Sequence, residues 1–267
     1  MDLKKLKQNW ETFARHDAMW AILTDPKKRQ NKWLAEDFFK TGVVEIDSII
    51  KTIKTHGYQL GGQNALDFGC GIGRLTQALA NYFEHCYGID ISTEMVEQAK
   101  RYNQHGSHCQ YIVNQSDALP IFNDDFFDFI YSNIVLQHIE RKYTESYLKE
   151  FIRILKPDGL LVFQIPSTKS PDYDVLAKSD VSVRKRRLIA RMCNMILKRL
   201  PIKKETLYSL GLSGSPAIME MHCFERSELE DHLRKHGGVI LNVERYDAAG
   251  PAFISYRYYV TKSRLSK

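Results

Sequence analysis

One stretch, residues 65–76, constrains the fold of this chain more than any other. It reads Ala-Leu-Asp-Phe-Gly-Cys-Gly-Ile-Gly-Arg-Leu-Thr: a short apolar run, then three glycines at alternate positions, then the start of a helical pattern. Because glycine has no side chain, its backbone can adopt positive φ and approach a ligand closely. A helix that begins after such a turn directs its free N–H groups over it. The stretch therefore predicts a strand, a ligand-binding turn and a helix.

Strand-like and helix-like segments alternate after this turn, which predicts an α/β protein. Apolar strands separated by helices form a parallel sheet covered on both faces, with the carboxyl ends of the strands at one edge. The predicted strands are residues 65–68, 85–89, 109–113, 127–131 and 160–165, with helices at 43–55, 74–83, 92–103, 143–155 and 224–236. Residues 239–246 and 252–261 predict a closing hairpin, so the final strand should run antiparallel.

The pattern predicts a single domain in four parts. These are a helical cap (1–42), a ligand-binding core (43–166), a basic helical insertion or lid (167–220), and the last helix with the hairpin (221–267). Gly42 is predicted to end the second helix of the cap. We expect Trp10 to attach the cap to the core, whereas packing and a place in a ligand cleft both stay open for Trp20 and Trp33.

The cysteine pattern and the absence of long apolar runs narrow the classes of protein to which the chain can belong. The five cysteines are scattered, with no Cys-x-x-Cys pair and no Cys/His cluster at zinc spacing, so we expect no metal. No apolar run approaches the roughly 20 residues of a membrane span. The first ten residues contain no apolar signal core, and together these features predict a cytoplasmic protein.

Three aspartates accompany the glycine turn. Asp67 lies within the glycine motif, where a carboxylate would repel a pyrophosphate but suit an ammonium group. Asp90 ends the second strand, where it can accept hydrogen bonds from both hydroxyls of a ribose. Asp117 follows the third strand, within reach of an adenine amino group. The glycine spacing also differs from the Gly-x-Gly-x-x-Gly of dinucleotide sites, which makes a nicotinamide oxidoreductase a remote alternative.

The motifs in this order resemble those of the class I S-adenosylmethionine-dependent methyltransferases, of a type 11 or type 12 small-molecule or glycan subgroup. They are residues 65–76, 87–92, 116–120, 128–139 and 154–160. The resemblance implies a Rossmann-like sheet of seven strands with an antiparallel last strand. It implies S-adenosylmethionine as cofactor and S-adenosylhomocysteine as product. The two ends of the chain, residues 10–42 and 244–262, resemble more loosely a bacterial subgroup linked to glycan and natural-product pathways.

The resemblance also implies which residues contact the cofactor. The methionine part would lie against Asp67, Gly69, Cys70 and Gly71, with the backbone carbonyl of Asn133 on the ammonium. For Arg74, pairing with the cofactor carboxylate and a solvated surface position both stay open. The nucleoside would contact Asp90, Ile91, Met95, Asp117, Ala118 and Leu119.

The acceptor is predicted to be a hydroxyl of a small molecule or glycan. The sulfonium methyl is already activated, so the protein has to align a nucleophile and exclude water, and a hydroxyl also needs a base. The candidate bases are His138, Glu220 and His222, each with a structural role as the alternative. The fourth strand lacks the Asp/Asn-Pro-Pro-Tyr ending of enzymes that methylate exocyclic amines of nucleic-acid bases, which argues against that class.

The net charge of +6 comes from one segment. Residues 184–204 contain nine basic residues and no acidic one, and the remainder has 29 basic against 32 acidic residues. A basic amphipathic helix here predicts either a lid over the cleft or peripheral contact with the anionic inner membrane surface. An RNA-directed methyltransferase is an alternative, although no RNA-binding module accompanies the segment and we expect no nucleic-acid partner. A cofactor-binding regulator without catalysis is the other alternative.

Overall fold

The computed structural model describes residues 1–174 and 217–262 of the chain. Seven strands form one sheet in the order β3-β2-β1-β4-β5-β7-β6. The first five strands are parallel, and β7 pairs antiparallel with both β5 and β6. The predicted parallel sheet and its antiparallel last strand are therefore confirmed.

The strands lie close to their predicted positions. They are β1 (Asn64–Phe68), β2 (His85–Asp90), β3 (Cys109–Val113), β4 (Phe127–Ser132), β5 (Leu155–Lys169), β6 (Gly238–Arg245) and β7 (Phe253–Lys262). The largest difference is in β5, which continues to Lys169, inside the segment predicted to be an insertion. It continues because β7 pairs with it as far as Phe253. The basic residues 184–204 lie outside the described part of the chain.

The described helices number six, apart from short 3-10 turns. They are α1 (Leu3–Ile22), α2 (Ala35–Thr55), α3 (Arg74–Leu79), α4 (Thr93–Tyr102), α5 (Arg141–Ile154) and α6 (Arg226–Lys235). Ser92 caps α4 through a hydrogen bond from the Met95 N–H, at the position that the sequence indicates. Among the described helices, none is long and apolar enough to cross a membrane.

The predicted helix end at Gly42 is wrong, because α2 continues through this residue. A Cβ atom at Gly42 would lie 2.2 Å from the backbone oxygen of Arg74. The glycine therefore allows α2 to cross the start of α3 at very short distance. It serves helix packing and not helix termination.

Two hydrophobic clusters cover the two faces of the sheet. On one face, α5 and α6 contribute Leu148, Phe151, Leu229 and Leu233. On the other face, α2, α3 and α4 contribute residues that include Ile46, Ile49, Leu79 and Val96. Both faces of the strands are therefore buried, which explains why β4 is buried along its whole length and why residues 160–163 of β5 are all apolar.

We expect Gly42→Ala to destabilise the protein. At an exposed helical site this change would add roughly 1 kcal/mol of stability through helix propensity. Here the new methyl group has no room, and overpacking should lower the free energy of unfolding by about 1–3 kcal/mol. Denaturant unfolding with Ser48→Ala, an exposed site on the same helix, as control measures the effect. A stabilised Gly42→Ala variant would contradict the packing described here.

Candidate functional site

A cavity opens at the carboxyl edge of the sheet, beneath α1, and its empty space is about 880 Å³ with the open solvent included. The ends of β1, β2 and β4 and the residue after β3 form its floor, and α1 lies across it. Its lining comprises Leu6, Trp10, Ala21, Ile22, Phe68, Gly69, Cys70, Gly71, Arg74, Leu75, Ile89, Asp90, Ile91, Met95, Asn114, Asn133, Ile134, Val135, His138, Ile139 and Tyr147.

The glycine turn is attached to β2 by main-chain and side-chain hydrogen bonds. The N–H groups of Gly69 and Cys70 both donate to the Ile89 carbonyl, at 2.8 and 2.9 Å. The N–H of Gly71 donates to Asp90 Oδ2 at 3.0 Å, and the Ser92 N–H donates to Asp90 Oδ1 at 2.8 Å. Gly71 has φ of 53°, which a residue with a side chain rarely adopts. The turn thus holds a half-buried carboxylate at the cavity wall.

Burial raises the pKa of two of the three predicted aspartates. For Asp90 the pKa rises to about 6, because desolvation outweighs the hydrogen bonds from Ser92 and Gly71. For Asp67 burial raises the pKa to about 7, against an opposing hydrogen bond from the Thr76 hydroxyl of 2.6 Å. Asp67 lies behind the turn and is not part of the cavity lining.

Eight of the twelve predicted cofactor residues line the cavity: Gly69, Cys70, Gly71, Arg74, Asp90, Ile91, Met95 and Asn133. Three others lie on the loop after β3 and do not. Asp117 is exposed, Ala118 is half-buried, and Leu119 is buried in the core. This loop contributes Asn114 to the lining, whose N–H donates to the Asp90 carbonyl. The prediction missed Asn114, although its position directly after β3 was a usable signal.

Arg74 lines the cavity and is not at the solvated surface, one of its two expected positions. It is 4 % exposed, so it is not a solvated surface residue, and it pairs with Glu45 on α2. The Nη2–Oε2 distance is 2.9 Å. Glu45 Oε1 also accepts hydrogen bonds from the Tyr131 hydroxyl at 2.9 Å and from Asn133 Nδ2 at 2.6 Å. No motif pointed to Glu45, because only the crossing of α2 over α3 brings it here.

The backbone at the end of β4 is strained. Ile134 has φ of 61°, which is rare for a β-branched residue. Its N–H donates to Gln164 Oε1 at 3.0 Å, and the amide group of Gln164 in turn donates to Gln137 and Ser255. This buried network holds the strained turn, and the turn orients Asn133 and Ile134 at the cavity wall.

His138, one of the three predicted bases, lines the cavity with both ring nitrogens engaged. Its Nδ1 lies 2.7 Å from the Glu220 carbonyl, and its Nε2 lies 3.2 Å from the Gln137 amide nitrogen. Burial lowers the pKa of His138 to about 4, so the ring is neutral at pH 7. The other two predicted bases, Glu220 and His222, bond to each other at 3.1 Å and are not part of the lining.

Helix α1 is the roof of the cavity. Trp10 lines the cavity and contacts His138 edge-on, so its role is not limited to attaching the cap. Glu11 accepts hydrogen bonds from the Thr93 and Glu94 N–H groups at the start of α4. Trp20 and Trp33 are not in the lining; Trp33 packs against Phe38. These two hydrogen bonds hold α1 next to the start of α4, just after the end of β2.

The sheet order and the glycine turn with a carboxylate at the end of β2 define the fold of class I S-adenosylmethionine-dependent methyltransferases. Residues 66–163 match the family model described as a methyltransferase domain, of type 11. This match over residues 66–163 confirms the resemblance to methyltransferases that the motifs indicated.

Two known relatives each match less than half of the chain. Phosphoethanolamine N-methyltransferase 2 of Caenorhabditis elegans is 35% identical over 42% of this chain and 26% of the relative. The 2-methyl-6-phytyl-1,4-hydroquinone methyltransferase of Synechocystis sp. is 34% identical over 38% of this chain and 31% of the relative. The match therefore spans about a quarter to a third of the length of these curated relatives.

The fold is shared over nearly the whole chain with a solved structure. Magnesium protoporphyrin IX methyltransferase from Synechocystis, crystallised with bound S-adenosylhomocysteine, covers 98% of this chain and 100% of its own. The TM-score is 0.62 and the sequence identity is 16%, so the likeness concerns the fold.

We expect Asp67→Asn to change how stability depends on pH. Because the pKa of Asp67 is raised to about 7 from 3.8, its contribution to stability is full below about pH 4 and is lost as pH rises through 7. Asparagine removes this loss, so the variant should gain about 2 kcal/mol relative to wild type between pH 5 and pH 8.

Urea unfolding of the ligand-free protein at both pH values measures this gain. Asp172→Asn, at an exposed position, is the matched control and should follow the wild-type curve. Parallel pH dependences of Asp67→Asn and wild type would show that Asp67 does not titrate in this range.

Proposed function

We propose that this protein transfers the methyl group of S-adenosylmethionine to a small-molecule acceptor. The observation that carries the proposal is the half-buried Asp90 carboxylate, held by the Gly71 N–H at the wall of the cavity beneath α1. The family match and the named methyltransferases among the relatives support the same activity.

The residues present fit this cofactor. Asp90 would accept the hydrogen bonds of the ribose hydroxyls, and Ile91 and Met95 offer an apolar surface to the adenine. Asn133 and Arg74 would contact the amino-acid end of the cofactor. Within the described chain, Asn133 Oδ1 and Arg74 Nε are buried and lack a hydrogen-bond partner, which an amino-acid group would provide.

The acceptor would lie under α1, against apolar side chains. Leu6, Trp10 and Ile139 belong to the cavity lining, so this part of the site suits a molecule with an apolar or aromatic body. Relatives named for a phosphoethanolamine and a hydroquinone substrate support a small-molecule acceptor in general terms. The cofactor supplies an activated methyl group. The chain aligns the nucleophile with it and excludes water.

A hydroxyl acceptor, of a small molecule or a glycan, stays our prediction from the sequence. It requires proton removal, and the low pKa of His138, about 4, makes this histidine a weak base at neutral pH. Its contacts with Gln137 and Glu220 support a positioning role. Glu220 and His222 contact the Gln137–His138 turn from outside the cavity lining, and they stay the other candidate bases from the sequence.

A cytoplasmic location and contact of residues 184–204 with an anionic membrane also stay predictions. The basic segment supports the membrane contact, and it lies outside the described residues. Co-sedimentation with anionic vesicles at low salt is the direct measurement, and absence of binding would refute it.

We expect Asp90→Asn to weaken binding of S-adenosylhomocysteine by at least tenfold. Loss of a charged acceptor from two ribose hydroxyls costs about 1.4 kcal/mol or more. Asp117→Asn should lower the affinity for S-adenosylhomocysteine by less than threefold, because Asp117 is exposed and outside the cavity lining. Isothermal titration calorimetry measures both variants. Equal losses of affinity in the two variants would contradict a nucleoside position at Asp90.

Methyl transfer itself is tested with cofactor labelled on the methyl group and an extract of small molecules. We expect label in a small-molecule fraction, and the Asp90→Asn variant should show less of it. Tight binding of S-adenosylhomocysteine without any transfer would favour a non-catalytic regulator. Binding of NAD without binding of S-adenosylhomocysteine would refute the proposal.

A further inference from the structure

Glu45 is the centre of a buried polar cluster beside the cavity. It lies on α2 almost one turn after Gly42, where α2 passes closest to α3. Its carboxylate pairs with Arg74 and accepts hydrogen bonds from Tyr131 and Asn133. One side chain of α2 therefore holds two residues of the cavity lining, Arg74 and Asn133.

These two lining residues each retain one unused polar atom. Arg74 is 4 % exposed and its Nε–H has no acceptor among the described residues, while Asn133 is 7 % exposed and its Oδ1 has no donor there. A buried donor and acceptor without partners cost free energy. Together they match the carboxylate and the ammonium of an amino acid, which need one donor and one acceptor.

The charges of the cluster point to the same ligand. Asp67 and Glu45 flank the single guanidinium of Arg74, and all three groups interact electrostatically. When both carboxyls are ionised, the cluster has an excess of one negative charge. The ammonium group of a zwitterionic amino acid would neutralise this excess, and its carboxylate would face Arg74.

We propose that Glu45 is a positioning residue for the amino-acid end of the cofactor, an inference that rests on the proposed function. Glu45 keeps its contacts with Arg74 and Asn133 and thereby directs their unused atoms to the ligand. It thus determines how strongly the site prefers a nucleoside with an amino-acid tail over one without it. A purely structural tie between α2 and β4 would affect both kinds of ligand equally.

Two ligands separate these roles: S-adenosylhomocysteine and 5′-methylthioadenosine, which has the same nucleoside and sulfur but no amino-acid end. Glu45→Gln keeps the shape of the side chain but removes its charge. We expect it to weaken the binding of S-adenosylhomocysteine by about tenfold, which corresponds to one lost charge-assisted interaction. Its affinity for 5′-methylthioadenosine should stay within about twofold of wild type. Calorimetry measures all four affinities.

Asp128→Asn is the matched control. Asp128 pairs with Lys156 at 2.9 Å, is similarly buried, and lies near the opposite end of β4. This variant should leave the ratio of the two affinities unchanged even if it lowers stability. Should Glu45→Gln fail to fold, Asn133→Ala removes the unused acceptor and should cause a smaller loss, again confined to S-adenosylhomocysteine.

The outcomes distinguish this inference from the proposed function. Equal losses for both ligands in Glu45→Gln, or no loss for either, would overturn the positioning role and leave the methyltransferase assignment intact. Failure of the wild-type protein to bind S-adenosylhomocysteine would overturn both.

Discussion

The hydrogen bond from the Gly71 N–H to the Asp90 carboxylate joins the end of β1 to the end of β2. It depends on the positive φ of Gly71, which directs the N–H toward the neighbouring strand. The same carboxylate receives the Ser92 N–H just before α4. The Asp90 carboxylate therefore connects the turn, the end of β2 and the start of α4, and the floor of the cavity depends on it.

The site holds charged groups that an apolar core would exclude. Burial raises the pKa of both Asp67 and Asp90, so each carboxylate is costly to keep ionised without a ligand. The positive charge of Arg74 offsets part of this cost at Asp67, whereas the negative charge of Glu45 adds to it. Such groups are retained where a ligand uses them, and a cationic sulfonium with an amino-acid tail has the charge that this cluster accommodates.

Most of the fold of residues 64–169 was predictable, because the sequence signals for its strands and helices are local. Apolar runs, turn residues and helix caps each act within a few positions, and they placed β3 at its observed bounds. The same signals led to the error at Gly42, where a glycine within a helix was taken as its end. Its true role is a close contact with the Arg74 backbone, which lies 32 positions away in the chain.

The sequence by itself determined the strands of the core, the glycine turn and the carboxylate that belongs beside it, since the strand that carries each residue also fixes its place at the sheet edge. Only the tertiary structure decided which residues of the loop after β3 reach the cavity, whose lining includes Asn114 and not Asp117. It alone brought Glu45 to Arg74 and placed Trp10 in the roof. The crossing of helices over a sheet depends on packing between distant segments, which no local pattern encodes.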